Sequence, residues 1–336
     1  MPPRVFIIIL QYNHSQDTIK CLDSVRKITY SNYQTVVVDN ASESSERDSI
    51  INYVKSQGNI TLLENEKNLG YAGGNNIGIK YALAHNADYV FILNNDTTVP
   101  PDMLEKLVSV AESDSKIGIV GPAIKEGDGR TAYYGKISWL KPELKHVYGK
   151  SAIHLLENSR GDSMGGLKHR PPETSPDSDR RGSRVGGMAD FPNLALGSKE
   201  YIIGAGMLIK KGVLEKIDGF DEVYFLYFED ADLCLRAQLA GYKLKIAPET
   251  TIYHKVSAST SALGKPLILR YHMRNALIFN SLNAPWPVKF SLIFWSGYIL
   301  LKNFLKVFLF PTKILAGEAI IDGVLDFYKS NYGKIN

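Results

Sequence analysis

The sequence predicts an α/β protein built on a doubly wound, mostly parallel sheet with flanking helices, and three observations lead there. Short β-branched and apolar runs recur at Val5 to Leu10, Thr35 to Val38, Ile60 to Leu63 and Tyr89 to Leu93. Segments with helical spacing separate them: Ile19, Leu22 and Val25 follow Ser15, which is expected to cap that helix, and Asn76 to Ala84 follows the third run. The alternation of the two signals is that of a parallel sheet wound by helices on both faces.

The later chain continues the pattern less regularly. Ile117 to Val120 and Tyr201 to Lys210 read as strands, and Asp230 to Leu239 reads as a helix whose Leu233, Ala237 and Ala240 face a core. Between them, residues 158–198 are rich in Arg, Pro, Gly, Ser and Asp, as in RPPETSPDSDRRGSRVGG, and are expected to form a mobile insert. Trp286 to Leu315 is the most apolar stretch. Lys289, Lys302 and Lys306 interrupt it and leave about a dozen uncharged residues where a spanning helix needs ~20. No acidic residue occurs between Glu249 and Glu318, while eight Lys or Arg do. The expectation is a segment that lies on an anionic membrane without crossing it; the plainer alternative is a core helix with solvated lysines.

Composition narrows the function classes. The 336 residues are 44% hydrophobic and 22% charged, which suits a folded enzyme. A formal charge of +4 is too small to make nucleic acid the main partner. Cys21 and Cys234 lie far apart without metal or redox spacing, which fits a reducing compartment. The opening Met-Pro-Pro-Arg leads into an apolar run too short for a secretory signal, so a cytoplasmic chain is expected.

Ligands of a wound sheet gather beyond the carboxyl ends of its strands, and polar residues fall there repeatedly: Tyr12 and Asn13, Asp39 and Asn40, then Asn94 to Asp96. Taken singly, each is also an ordinary turn residue. Asp39 can accept hydrogen bonds from a base or ribose. A dinucleotide-binding fold is excluded because the first turn, Gln-Tyr-Asn-His-Ser, has no glycine. In NLGYAGGNNIG, Gly73, Gly74 and Asn75 precede the helical signal and read as a loop that lets backbone amides approach an anion, or as a tight packing turn.

Asp96 can share Mg²⁺ or Mn²⁺ with a diphosphate, because such sites use one or two protein carboxylates and fill the rest with phosphate and water. His254 can complete that site or touch the diphosphate. Glu229 and Asp230 stand behind the aromatic run Tyr224, Phe225, Tyr227 and Phe228. A carboxylate desolvated by such a surface gains proton affinity, as a base acting on a hydroxyl requires. The structural alternative is that these acids merely start the next helix, with Arg236 pairing Asp232 four residues on. Arg270, Arg274 and Asn275 can meet phosphates or face solvent and lipid.

From Val5 to Asn275 the order of these motifs resembles the rhamnosyltransferase-like branch of family 2 glycosyltransferases. The resemblance rests on Tyr12-Asn13, Val38-Asp39-Asn40, Asn68-Leu-Gly70 through Asn76, Asn94-Asn95-Asp96-Thr97, Gly204-Ala-Gly206, Gly219-Phe220-Asp221 and Phe228-Glu229-Asp230 with Arg236. It implies a GT-A fold over residues 1–280. Residues 1–125 would bind a nucleotide diphosphate sugar, of dTDP-rhamnose or UDP-sugar type, and residues 199–280 would hold the acceptor and catalytic half. It implies donor contacts from Tyr12, Asn13, Asp39, Asn40, Gly73, Gly74, Asn75, Asn94 and Asp96, and a divalent metal at Asp96 with His254 near the phosphates. Gly204, Gly206 and Arg274 would lie on the acceptor side, and Asp230, or next to it Glu229, would be the base.

Asn94 replaces the first Asp of the family's metal motif. Processive members carry a Gln-x-x-Arg-Trp element and several spanning helices; this chain has neither, so a single inverting transfer is expected, to a glycan or lipid-linked acceptor in cell-surface polysaccharide synthesis. Residues 281–336 would be amphipathic helices holding the enzyme peripherally at the cytoplasmic face of the plasma membrane. The rival class is a non-catalytic nucleotide-sugar-binding protein at the same surface.

Overall fold

The computed structural model describes residues 1–139, 143–149, 194–197, 199–255 and 264–335. The expected insert at 158–198 lies outside the described residues except for 194–197, of which Leu194–Ala195 enter the sheet. The first half runs β1 (Val5–Gln11), α1 (Ser15–Val25), β2 (Tyr33–Asp39), α2 (Ser44–Gln57), β3 (Ile60–Glu64), α3 (Gly70–Ala84), β4 (Tyr89–Asn94), β5 (Thr97–Thr98), α4 (Met103–Glu112) and β6 (Ile117–Glu126). Then come β7 (Thr131–Ser138), β8 (Glu143–Tyr148), β9 (Leu194–Ala195), β10 (Glu200–Tyr201), β11 (Gly206–Lys210), α5 (Lys211–Ile217), α6 (Glu229–Leu239) and β12 (Lys243–His254). Three helices close the chain: α7 (Lys265–Asn283), α8 (Trp286–Leu309) and α9 (Ile314–Tyr328).

All twelve strands share one sheet, whose main path is β10-β7-β6-β11-β4-β1-β2-β3. The block β4-β1-β2-β3 is parallel throughout, as the alternating signals predict. β11 enters antiparallel between β4 and β6, and β12 runs parallel to β6. β1 shows why its sequence is continuously apolar: Phe6 and Ile8 join one core and Val5, Ile7 and Ile9 the other. A strand covered on both faces has no solvent side on which to alternate.

Three boundaries depart from the sequence reading. The first helix begins at Ser15 itself, with His14 at its N-cap and no side-chain cap; the Ser15 amide instead donates to Glu46 Oε2 at 2.6 Å. The strand expected over Tyr201 to Lys210 is split into β10 and β11 by residues 202–205, of which 203–205 line the cavity described below. The glycine-rich stretch is not a loop: α3 begins at Gly70, so Gly73, Gly74 and Asn75 are helical. The reason is close packing. A Cβ on Gly74 would sit 2.4 Å from Leu10 Cδ1 and one on Gly78 2.4 Å from Ile8 Cγ2, so glycine lets this helix press on β1.

α8 is also longer than its lysines suggested. It is one 24-residue helix, with mean hydropathy 1.4 over its most apolar window, and passes the length and composition test for a membrane span. Only 22% of that window is buried.

Candidate active site

The strand ends, residues 203–205 and the 225–227 turn enclose a cavity of about 290 Å³. Tyr12, Asn40, Asn94, Asp96, Gly204, Glu229, Asp230 and His254, all expected at a site from sequence, line it together.

On one side, β5 pairs antiparallel with the end of β12, placing His254 opposite Thr97. This brings His254 Nε2 to 3.1 Å from Asp96 Oδ1 and 3.4 Å from Asn94 Nδ2, although about 160 residues separate them in sequence. The Lys255 amide donates to Asp96 O at 3.0 Å and fastens the same corner. Asn94 Oδ1 is buried without a hydrogen-bond partner among the described residues. A carboxylate, an imidazole nitrogen and a spare amide oxygen converging on one cavity fit a divalent cation that takes its remaining ligands from phosphate and water. No third His, Cys, Asp or Glu joins them among the described residues.

The same cavity receives the two acids on the first turn of α6. Asp230 Oδ2 accepts the Gly204 amide at 3.1 Å, and Oδ1 accepts the Ala231 amide at 2.8 Å. Glu229 is 6% exposed, and its Oε2 has no partner among the described residues. Burial raises the proton affinity of both. For Glu229 the rise is well above the ordinary carboxylate range, with the adjacent Asp230 charge adding to it; for Asp230 the two amides oppose it. The pair therefore keeps a proton to higher pH than free carboxylates, and Glu229 is the better holder of it. Tyr71, whose hydroxyl donates to Gly204 O at 2.8 Å, is also pushed up, by burial first and then by Glu229, Asp230 and Asp96.

Linkage gives this a sign. A folded-state proton affinity above the unfolded value favours folding below the unfolded carboxylate range, and the advantage is lost as pH rises through the folded value. Glu229→Gln removes the buried ionisation, so the variant's unfolding midpoint relative to the parent's should climb with increasing pH. Two parallel midpoint curves would show that Glu229 does not titrate in the folded protein.

The turn leading to these acids is held under tension. Phe225, Tyr227 and Phe228 have φ of 62°, 70° and 77°, values that bulky residues rarely adopt. Asn275 Nδ2 donates to Tyr224 O, Leu226 O and Tyr227 O at 2.8, 2.7 and 3.0 Å, and the Tyr227 ring stacks on His272 with centroids 4.0 Å apart. These α7 contacts fix the backbone that delivers Glu229 and Asp230.

Other expected site residues sit elsewhere. Arg274 does not line the cavity. It is fully buried, donating to Tyr224 O at 3.2 Å and Asn331 O at 3.1 Å, and Arg270 pairs with Asp326 at 2.6 Å, so neither is offered to a phosphate. Gly206 lies within β11, where a Cβ would meet Ile252 Cδ1 at 2.7 Å. Asn13 bridges the β1 and β2 turns through the Glu43 amide and Ser42 Oγ, both at 2.9 Å. Asn40 reaches the cavity wall, but its two donors and two acceptor sites are engaged by Asn68, Gly70, Asn65 and Leu69.

Gly73, Gly74 and Asn75 do not line the cavity either. The amides expected to greet an anion there are already engaged: Leu69 N by Asn40, Gly70 N by Asn68 and Tyr71 N by Phe225 O. Asp39 lies outside the lining at the end of β2, buried, with Oδ2 accepting the Ser42 amide at 3.1 Å. Its Oδ1 has no partner among the described residues, an acceptor held in reserve. The i to i+4 pair proposed as the bland reading of the acids does form, Arg236 Nε to Asp232 Oδ2 at 2.6 Å, but it involves neither Glu229 nor Asp230.

Sequence reasoning missed Tyr71 and His146, which also line the cavity. Tyr71 stands inside NLGYAGGNNIG and was open to notice. His146 was not: it arrives through the β7–β8 pairing, with Nδ1 3.1 Å from Glu126 Oε1.

A parallel four-stranded block, an antiparallel strand inserted beside it, and two acids sharing a cavity with an Asp–His pair make an α/β architecture of GT-A type. A mannosyltransferase of Pyrobaculum calidifontis, solved with GDP-Man and Mn²⁺, superimposes with a TM-score of 0.55 at 16% identity, covering 98% of this chain and 88% of that one. Residues 6–169 match the family model described as Glycosyl transferase family 2. A dTDP-rhamnosyl transferase of Shigella flexneri is 22% identical over 285 residues, 83% of this chain and 80% of the relative. An N-acetylglucosaminyl-diphospho-decaprenol L-rhamnosyltransferase of Mycobacterium tuberculosis is 22% identical over 312 residues, 90% and 92% of the two chains.

Proposed function

We propose that this glycosyltransferase moves one sugar, with inversion, from a nucleotide diphosphate sugar to a hydroxyl of a glycan or lipid-linked acceptor in polysaccharide synthesis. The observation that carries this is the convergence of the Asp96–His254 pair and the Glu229–Asp230 pair on one cavity. The names of the two rhamnosyltransferase relatives support a dTDP-rhamnose donor and, for the acceptor, a lipid-linked diphosphate. Buried, unpaired Cys21 and Cys234 suit a reducing, cytoplasmic compartment.

Asp96 and His254 would hold Mg²⁺ or Mn²⁺, which when bound neutralises charge on a departing diphosphate. Asp39 Oδ1 offers an acceptor to the nucleoside's donors, and Tyr12 lies at the rim of the same cavity. Asp230 is the base. Its amide partners favour its ionised form, whereas Glu229 keeps the pair's proton, so Asp230 is the carboxylate free to take the acceptor's hydroxyl proton. The acceptor oxygen then bonds to the anomeric carbon from the face opposite the diphosphate. The carbon–oxygen bond to that diphosphate breaks, and its electron pair leaves with the nucleotide.

Thermal shift tests the donor side. Nucleoside diphosphates with Mn²⁺ or Mg²⁺ should raise the parent's midpoint by an amount that grows with affinity, and Asp96→Ala should lose the cation-dependent part. Equal stabilisation with and without cation would refute the metal assignment; a screen with UDP, GDP and dTDP identifies the base.

A further inference from the structure

The long helix α8 presents a surface that sugar transfer does not use. Trp286, Phe290, Phe294, Leu301, Phe304 and Phe308 are each 60–81% exposed and recur at helical spacing along one face. The opposite face carries Leu292, Ser296, Ile299 and Asn303, all buried. At 100° per residue, Lys302 and Lys306 fall along one border between these faces and Lys289 along the other. None of the three lysines has a carboxylate partner at ion-pair distance among the described residues, and α8 itself contains no acid. Arg270, Arg274 and Lys255, which the sequence added to the same basic segment, are committed to internal contacts. The positive charge of α8 thus lies on the flanks of the apolar stripe, where Lys289 also donates to Leu282 O at 2.8 Å and Lys302 sits over the Tyr298 ring.

We infer that α8 lies in the plane of an anionic lipid bilayer, with the aromatic stripe immersed at the acyl boundary and the lysine heads among the lipid phosphates. The packing of α8 selects this pose over a spanning one. Leu292 and Ile299 sit with Leu277 of α7 and Val324 of α9 in one cluster, and farther along a Cβ on Gly317 of α9 would meet Val307 Cγ2 at 2.4 Å and Asn303 O at 3.4 Å. The helix is therefore clasped over most of its length. Crossing the ~30 Å core would bury Lys302 and Lys306 in hydrocarbon and drag in α9 with Glu318, Asp322 and Asp326. Lying flat immerses only the stripe, and the lysine stems reach sideways to the headgroups.

This inference stands apart from the transfer reading, and so does its test. The full-length protein is sedimented with phosphatidylcholine vesicles lacking or containing phosphatidylglycerol. Binding should require phosphatidylglycerol, weaken in high salt, and be released by alkaline carbonate. Phe294→Ser/Leu301→Ser/Phe304→Ser should bind at least about tenfold more weakly with an unchanged unfolding midpoint and unchanged nucleotide-dependent stabilisation. Unaltered vesicle binding by that triple variant overturns the inference. So does a parent that ignores vesicles and forms a dimer which the triple variant dissolves, since the stripe would then belong to a second copy. Carbonate-resistant insertion overturns the in-plane pose.

Discussion

Asp230→Asn should lower sugar transfer by roughly 10²–10⁴-fold, the usual worth of a positioned general base, while nucleotide binding measured by thermal shift stays near the parent's. The separation is expected because Asp96 pairs with His254 and Asp39 accepts from the Ser42 amide, on elements other than the helix that carries Asp230. The change is nearly isosteric, but Asn offers one acceptor oxygen where Asp offered two, so one of the Gly204 and Ala231 amides loses its side-chain partner. Glu229→Gln should cost far less, since a residue that already holds the shared proton is mimicked by a neutral amide. In the parent, activity should rise with pH as Asp230 loses its proton, along a limb displaced above the ordinary carboxylate range by burial. Full turnover by Asp230→Asn would remove it from the mechanism, and full turnover by both variants would remove the pair.

The second large effect belongs to a residue that touches no substrate. Asn275→Ala should destabilise the protein by about 2–4 kcal/mol, because the carbonyls of Tyr224, Leu226 and Tyr227 lose a shared donor in a buried site. That is a large fraction of a typical total of about 5–15 kcal/mol. The loss should fall on transfer as well, with kcat dropping more than donor affinity, since three positive-φ aromatic residues would then be free to relax and carry the acids away from the cavity. Thermal unfolding and steady-state kinetics at a temperature where the variant is folded separate the two effects. An unchanged midpoint would mean the turn holds itself.

What the sequence made legible follows physical rules of range. β1, β2 and β4 could be read because strands buried on both faces are written as unbroken apolar runs, and α6 because its core positions repeat at helical spacing. The start of α3 was hidden because glycine signals both loops and intimate helix packing, and only the partner strand decides between them. At the site, Asp96, Glu229 and Asp230 were legible as charged groups beside apolar runs, an arrangement that is costly without a purpose. Asn40 and Asn13 were read as ligand contacts by the same strand-end rule, yet they tie neighbouring turns together; strand ends need such ties whether or not a ligand is bound. His146 and the internal roles of Arg274 and Asn275 depend on partners dozens of residues away, which no local pattern announces.

One helix, α7, faces two ways. Its Asn275 and Arg274 hold the turn before Glu229 and Asp230, while its Leu277 is roofed by α8 and α9 and its Arg270 is anchored to Asp326. Arg274 also donates to Asn331 O, and Tyr271 receives the Ile335 amide at 2.8 Å. Cutting the chain before Trp286 to obtain a freely soluble enzyme would therefore strip partners from a buried guanidinium and uncover the back of the very helix that props the cavity. A designer who wants the enzyme in solution has to resurface the aromatic stripe residue by residue and leave the helix that bears it standing.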